Sequence, residues 1–363
     1  MKSARLTSTL FVVCFALCSC GVGAERQSAG ANANSGQQGA AQTKAEEKPP
    51  RPASDPKKFA VIIAGVGGEE AYTKKFTAQA LELHAVLTTK LNFDEKQVFF
   101  LTESQTGGPE NGPRENVARA TAEEARKAFD SIKSSATAES LVLVILLGHG
   151  SFDGQQAKFN LIGPDLSAKD YAAILGALPT RKVIFINCAS SSGEFIKPLS
   201  AKDRILITAT RSGNEQNATI FAEHLIASLT ASGADTDKNG RTSVLEAFNY
   251  ATRLVADWYK QKGRLATEHA MIDDSGDGTG HEEATAGDGT ISKVTYLDSK
   301  SLEEASADAE KFKLLEERQR LEEEIEKLKA RKDEMKAEDY EAELERLLVE
   351  LATTNQKIKG RQK

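Results

Sequence analysis

Cys188 ends the apolar run KVIFIN and begins the small-residue turn CASSSG; 39 residues earlier, a second apolar run, LVLVILL, ends in Gly148-His149-Gly150. A thiol and an imidazole, each released at the carboxyl end of a buried strand, are the parts of a nucleophilic catalyst. A free thiol titrates near about 8.5 and is mostly protonated at neutral pH, so a neighbouring imidazole raises the thiolate fraction and later protonates a leaving amine. Acyl transfer also needs donors for the developing oxyanion. The backbone amides of Gly150 and Cys188 are the candidates, because a glycine after His149 lets the backbone approach closely. Together these residues make a minimal kit for opening an amide bond, and an acyl-thioester so formed passes equally to water or to an amine.

The cysteine count sharpens this reading. Of four cysteines, three fall in the first twenty residues. Lys2 and Arg5 precede a short apolar stretch, Leu10 to Leu17, too brief to span a bilayer, which reads as a processing segment (residues 1–20). Its end, Leu17-Cys18-Ser19-Cys20-Gly21, resembles a bacterial lipobox with Cys20 as the lipidated residue. This predicts an exported chain, lipid-anchored in the bacterial cell envelope, with ordinary secretion as the alternative. Cys188 is then a lone thiol in an oxidising compartment, where structural cysteines come in pairs. The competing reading is a buried small hydrophobe.

A second cluster suits a cation. DTDKNGRTSVLE, residues 235–246, fits the twelve-residue EF-hand loop: Asp235, Asp237 and Asn239 at the first, third and fifth positions, Gly240 at the sharp turn and a closing Glu246. Arg241 supplies a carbonyl and Ser243 a hydroxyl or a water. The expected ion is calcium; the alternative is an Asx-rich turn capping the next helix. A later stretch, DDSGDGTGHEEA, begins similarly with Asp273, Ser275 and Asp277 but ends in Ala284, and reads as an acidic loop. His269 and His281 flank it without forming a metal site, while His84 and His224 read as surface or packing residues.

The elements that must position these groups follow from the apolar runs. Residues 21–57 are small, polar, then Pro-rich, and read as a disordered tether. From residue 58, FAVIIA, VFFLT, LVLVILL, KVIFIN and RILITA are short unbroken apolar runs, suited to parallel strands covered on both faces. Helical stripes lie between them: Phe76, Ala80, Leu83 and Leu87; Ala125, Phe129 and Ile132 after a Thr121/Glu124 capping box; and Leu245, Phe248, Val255 and Tyr259. The alternation predicts an α/β fold, a mainly parallel sheet flanked by helices in three layers over residues 58–300, with ligands outside the carboxyl ends of the strands. Residues 301–363 are rich in Glu, Lys, Arg and Leu and predict two charged helices, folded as a hairpin or zipped as a coiled coil with partner chains. A net charge of −6 gives no basic field for nucleic acid.

The paired blocks LVLVILLGHGS and KVIFINCASSSG, in this order and spacing, resemble the cysteine peptidases of the legumain/caspase/gingipain clan. FAVIIAGVGGEEAY, FNLIGPDLSAKDYAAILGALPTRK and RILITATRSGNEQNA bring the likeness nearest to legumain, over about residues 58 to 230. The resemblance implies a caspase-like fold, an endopeptidase with Cys188 as nucleophile and His149 as acid/base, and Arg211 and Glu215 as residues of the substrate pocket; a surface ion pair is the alternative for those two. It also suggests a helical C-terminal region that covers the site as a lid. Two departures stand out: apolar Ile186 two residues before the cysteine, where relatives carry a polar or acidic group, and a first turn of Val66-Gly67-Gly68 without the family's supporting asparagine and arginine.

Two other functions compete. In a serine hydrolase, Ala189-Ser190-Ser191-Ser192-Gly193 would approximate a nucleophile elbow centred on Ser191, with His269 or His281 as base; Asn187 and Cys188 separate that elbow from its strand. In a catalytically inactive, calcium-binding scaffold or pseudo-peptidase, the C-terminal helices would do the work. The expected partners are a protein or peptide substrate, the membrane through the lipid anchor, and other copies of the chain through those helices.

Overall fold

The computed structural model describes residues 54–103, 116–284, 288–298 and 309–360. The processing segment, Cys20 and the tether up to residue 53 lie outside the described residues. In chain order the elements are β1 (Lys58–Ala64), α1 (Glu70–Thr89), β2 (Val98–Thr102), β3 (Val117–Arg119), α2 (Ala122–Ser135), β4 (Leu141–Leu147), β5 (Gly150–Phe152), β6 (Ala157–Phe159) and β7 (Leu166–Ser167). There follow α3 (Ala168–Gly176), β8 (Val183–Asn187), α4 (Ile196–Leu199), β9 (Arg204–Thr208), α5 (Phe221–Ser228), α6 (Val244–Gln261) and β10 (Met271–Asp273). Two long helices close the chain, α7 (Ala309–Ala330) and α8 (Ala337–Gly360).

A seven-stranded sheet in the order β10-β9-β8-β4-β1-β2-β3 forms the centre, parallel except for β10, which runs against β9. The five unbroken apolar runs are its five inner strands. β1 is buried at all seven positions because strands flank it and helices cover both faces. Residue parity sorts the two cores. Ala60, Ile62, Leu143, Ile145, Leu147, Ile184 and Ile186 face the layer built by Leu83 and Leu87 of α1, Phe221 of α5 and Phe248 of α6. Val61, Ile63, Val142, Val144, Phe185 and Leu206 face Phe129 of α2, Tyr171 of α3 and Leu199 of α4. Three layers result, each fully buried large side chain contributing about 1.5–3 kcal/mol.

Several sequence expectations need correction at their edges. Residues 54–57 belong to the body: the Asp55 amide donates to the Asn92 carbonyl at 2.8 Å, so the tether ends before them. Thr121 caps α2 by accepting the Glu124 amide, but the Glu124 carboxylate pairs with Lys127 at 2.7 Å instead of completing a capping box. The edge strands β3 and β10 and the small β5-β6-β7 sheet are too short to carry a periodic signal.

The C-terminal helices form a hairpin within the chain, turning over residues 331–336, with Leu321, Ile325 and Leu328 against Leu347, Leu344 and Leu351. Lys327 lies 3.8 Å from Asp203, just before β9. Arg320, Glu323 and Lys327 share a cavity of about 850 Å³ with Lys57, Lys182, Val183 and Ile205. All these body residues lie at the amino ends of the strands, opposite the end where Cys188 emerges, so the described hairpin does not cover Cys188 and the lid expectation fails.

Phe248 is fully buried against Phe221, with ring centroids 6.4 Å apart. Phe248→Ala should lower unfolding stability by about 3–5 kcal/mol in chemical denaturation, since α5 and α6 cannot close the cavity; a loss under about 1 kcal/mol would mean the layer is looser than described.

Candidate active site and cation loop

The β4–β8 pairing sets the site. Its register matches Ile145 to Ile186 and Leu146 to Asn187, and the Cys188 amide extends it by donating to the Leu146 carbonyl at 2.9 Å. Cys188 therefore stands beside Leu147, and His149 lies two residues past Leu147, beyond the carboxyl end of β4. Both fall on the parity that faces α1 and α5, the face of Ile184 and Ile186. Two groups 39 residues apart are thus brought to one face at the carboxyl edge of the sheet.

Their protonation follows from their surroundings. Cys188 is 2 % exposed and packed within the α1/α5/α6 core. Burial pushes its thiol well above the ordinary range, and the negative charge of Glu268 adds to that. The half-buried His149 ring lies edge-on to Tyr72 at 4.7 Å and Phe76 at 5.1 Å. Burial lowers its pKa; a hydrogen bond with the Gly67 backbone opposes that, while the Lys75 charge lowers it further. The described pair is a neutral thiol and a neutral imidazole, and no hydrogen bond joins them.

The two amides expected to bind an oxyanion are both occupied. The Cys188 N–H belongs to the sheet ladder, which corrects its assignment as a free donor. The Gly150 N–H donates to Ser190 Oγ at 3.2 Å, and Ser190 Oγ donates back to the Gly150 carbonyl at 3.0 Å. A hydroxyl rotates, so the Gly150 amide is the one that an oxyanion could recruit. The glycine is required there: a Cβ would lie 2.4 Å from the Ser190 carbonyl.

Arg211 and Glu215 form a larger polar cluster in the loop after β9. The Arg211 amide donates to Glu215 Oε2 at 3.0 Å, and its guanidinium lies 3.4 Å from Glu215 and 3.6 Å from Glu282. His269, which the sequence offered only as a base for the serine-hydrolase alternative, bonds Glu215 through its ring at 2.5 Å and its amide at 3.1 Å. The Glu215 carbonyl accepts the Ser191 amide at 2.8 Å, tying the cluster to the turn after Cys188. Glu268 was also missed: it is 3 % exposed and accepts the Ile220 and Phe221 amides at the start of α5, with its pKa raised by burial. The Glu268-His269 dipeptide just before an edge strand was its only trace in the sequence.

The Ser191 hydroxyl is buried and engaged: the residue is 1 % exposed and its hydroxyl donates to the Gly213 carbonyl at 2.9 Å. The imidazoles of His269 and His281 are held by Glu215 and Asp288. His84 packs edge-on to Phe100, as a core histidine does.

The 235–246 loop is organised around its closing carboxylate. Oxygens of Asp235, Asp237 and Glu246 lie within 4.8 Å of one another, a grouping that can hold a metal ion. Glu246 accepts the Thr236 amide at 2.8 Å and the Ser243 amide at 2.9 Å, completing a capping box at the start of α6. Burial would raise its pKa, but the Ser243 and Thr236 hydrogen bonds outweigh this and lower it. Gly240 takes φ 83°, the left-handed turn for which the motif needs glycine. The Arg241 guanidinium stacks on Tyr296 at 3.9 Å and pairs with Asp298 at 2.6 Å, which leaves only its carbonyl for a cation. The Ser243 hydroxyl is taken by Glu246 at 2.9 Å, so a water is the better candidate at that position. Three carboxylates with carbonyls and water fit a hard cation, without selecting calcium over others.

Iodoacetamide should alkylate Cys188 in the native chain more than about tenfold slower than a free thiol at pH 8, and at the ordinary rate in urea, because the reagent attacks the thiolate. Native alkylation at the free-thiol rate would contradict the buried, protonated state.

No family model matches this chain, and no curated protein matches it. Among solved structures the chain is similar to protein GSU0716 from Geobacter sulfurreducens, at 13% identity and a TM-score of 0.37, over 55% of this chain and 89% of that one.

Proposed function

We propose that this chain is a cysteine endopeptidase, lipid-anchored in the bacterial envelope through Cys20, that works through Cys188 and His149. One observation supports this above all: the β4–β8 register brings thiol and imidazole to the same face at the carboxyl edge of a parallel sheet. His149, neutral by burial, takes the thiol proton; the sulfur attacks the scissile carbonyl, and the imidazolium then protonates the leaving amine. Water, or an amine in ligation, resolves the acyl-thioester, and the Gly150 amide, released by rotation of Ser190 Oγ, receives the oxyanion. The described conformation is the resting one. Binding energy from the peptide outside the scissile bond opens the buried sulfur. Arg211 and Glu215 line the substrate pocket, with His269 beside them. A calcium ion bound by Asp235, Asp237, Asn239, the Arg241 carbonyl, a water at Ser243 and Glu246 would brace the start of α6.

A second reading is a calcium-binding pseudo-peptidase scaffold, and it rests on the 2 % exposure of Cys188. The exposed Leu348 and Val349 of α8 would then serve self-association.

Hydrolysis of a fluorogenic peptide library, varied at the residue before the scissile bond and run with calcium, separates the readings. The peptidase predicts cleavage that falls at least about 100-fold in Cys188→Ala and in His149→Ala; full activity in Cys188→Ala, or no cleavage of any peptide, rejects it. A chain ending at Lys300 should cleave at the full-length rate, because the hairpin lies at the far end of the strands. A marked gain on truncation would restore the lid.

A further inference from the structure

The loop after β10 repeats the hydrogen-bond frame of the 235–246 loop. In the first loop the Asn239 amide donates to Asp237 Oδ1 at 3.0 Å, the Arg241 amide to Asn239 Oδ1 at 2.8 Å, and the Thr236 and Asp237 amides to Glu246 Oε1 at 2.8 and 3.2 Å. In the second, at equivalent positions, the Asp277 amide donates to Ser275 Oγ at 3.3 Å and the Thr279 amide to Asp277 Oδ1 at 2.7 Å. The Asp274 and Ser275 amides both donate to Asp288 Oδ1 at 3.1 Å. The sixth position is a left-handed glycine in each, Gly240 at φ 83° and Gly278 at φ 81°. Asp288 thus does what Glu246 does, although the twelve-residue pattern puts Ala284 at the closing position.

A shared turn geometry is not a site, but two further observations point to a cation. Asp273, at the first position, is 1 % exposed; its Oδ1 holds the Gly276 amide at 3.0 Å, while its Oδ2 is buried with no hydrogen-bond partner. The Ser200 hydroxyl is near enough to favour this carboxylate, yet it too lacks a hydrogen-bond partner. The charges are also uncompensated. Asp273, Asp274 and Asp288 are 1 %, 1 % and 6 % exposed, and among the described residues their ion pairing is limited to His281 on Asp288. Asp274 is spent on the Gly289 and Ser292 amides, each at 2.7 Å. Buried carboxylates are paired or coordinate metals.

We propose that this segment is a second site for a calcium-type cation, held by Asp273 Oδ2, Ser275, Asp277, the Thr279 carbonyl and Asp288, independent of both the first loop and the thiol chemistry. Its ligands are not gathered within 4.8 Å as those of the first loop are, so the cation closes the loop by drawing Asp288 Oδ2 away from His281. Closure pins β10 to β9 and with it the preceding Glu268 and His269, which hold the start of α5 and Glu215.

The test is calorimetric titration of the full chain with calcium chloride, with circular dichroism confirming that each variant is folded. The wild type should bind two cations. Glu246→Gln should bind one, Asp277→Asn and Asp288→Asn one each, and Glu246→Gln combined with Asp277→Asn none. Asp277 is exposed, so its substitution leaves the fold intact. One cation, lost in Glu246→Gln and kept in Asp277→Asn, overturns the proposal and leaves the first loop standing. One cation, lost in Asp277→Asn and kept in Glu246→Gln, supports it and removes the first loop.

Discussion

The proposed chemistry depends on the parallel pairing of β4 with β8 running one residue past the strand. The Cys188 amide donates to Leu146, and that bond fixes which face the thiol takes, how far along the strand it sits and which imidazole lies beyond it. Parallel ladders leave little freedom of register where both faces are buried, because a slip of one residue would exchange the two cores. The bond has a cost as well as a use. It places the sulfur on the inward parity of Ile184 and Ile186, so the thiol is buried and protonated, and it withdraws one of the two amides proposed as oxyanion donors.

The same edge of the sheet gathers a polar cluster, Glu268, Glu215, His269 and Arg211. Glu268 caps the start of α5 by accepting its first amides, and the positive end of the helix partly offsets the desolvation of the carboxylate. Next to it, His269 and Arg211 share Glu215, whose carbonyl holds the turn after Cys188. The thiol, the turn and the loop after β9 are therefore a connected set, and the segment just before β10, with Glu268 and His269, connects them.

The central fold was legible because its strands are unbroken apolar runs, which only a sheet covered on both faces accommodates. The α1 stripe, the C-terminal hairpin and the frame of the 235–246 loop were legible for similar reasons of period and spacing. The burial of Cys188 was readable in principle, since Ile184, Ile186 and Cys188 alternate on one face; its place before a serine-rich turn drew attention away from that parity. The role of Asp288 was not readable, because a closing carboxylate four residues outside the pattern leaves no fixed spacing. Glu268 and His269 likewise meet partners roughly fifty residues away, through tertiary contacts that no local signal announces.

Covalent trapping tests the central claim most directly. A peptidyl acyloxymethyl ketone supplies the binding energy that a small alkylator lacks, and intact-mass analysis with peptide mapping reads the result. The account predicts a single adduct on Cys188 that forms in the wild type and not in His149→Ala. No adduct with any peptide, or equal labelling without His149, would show that the register brings the two residues together for packing alone.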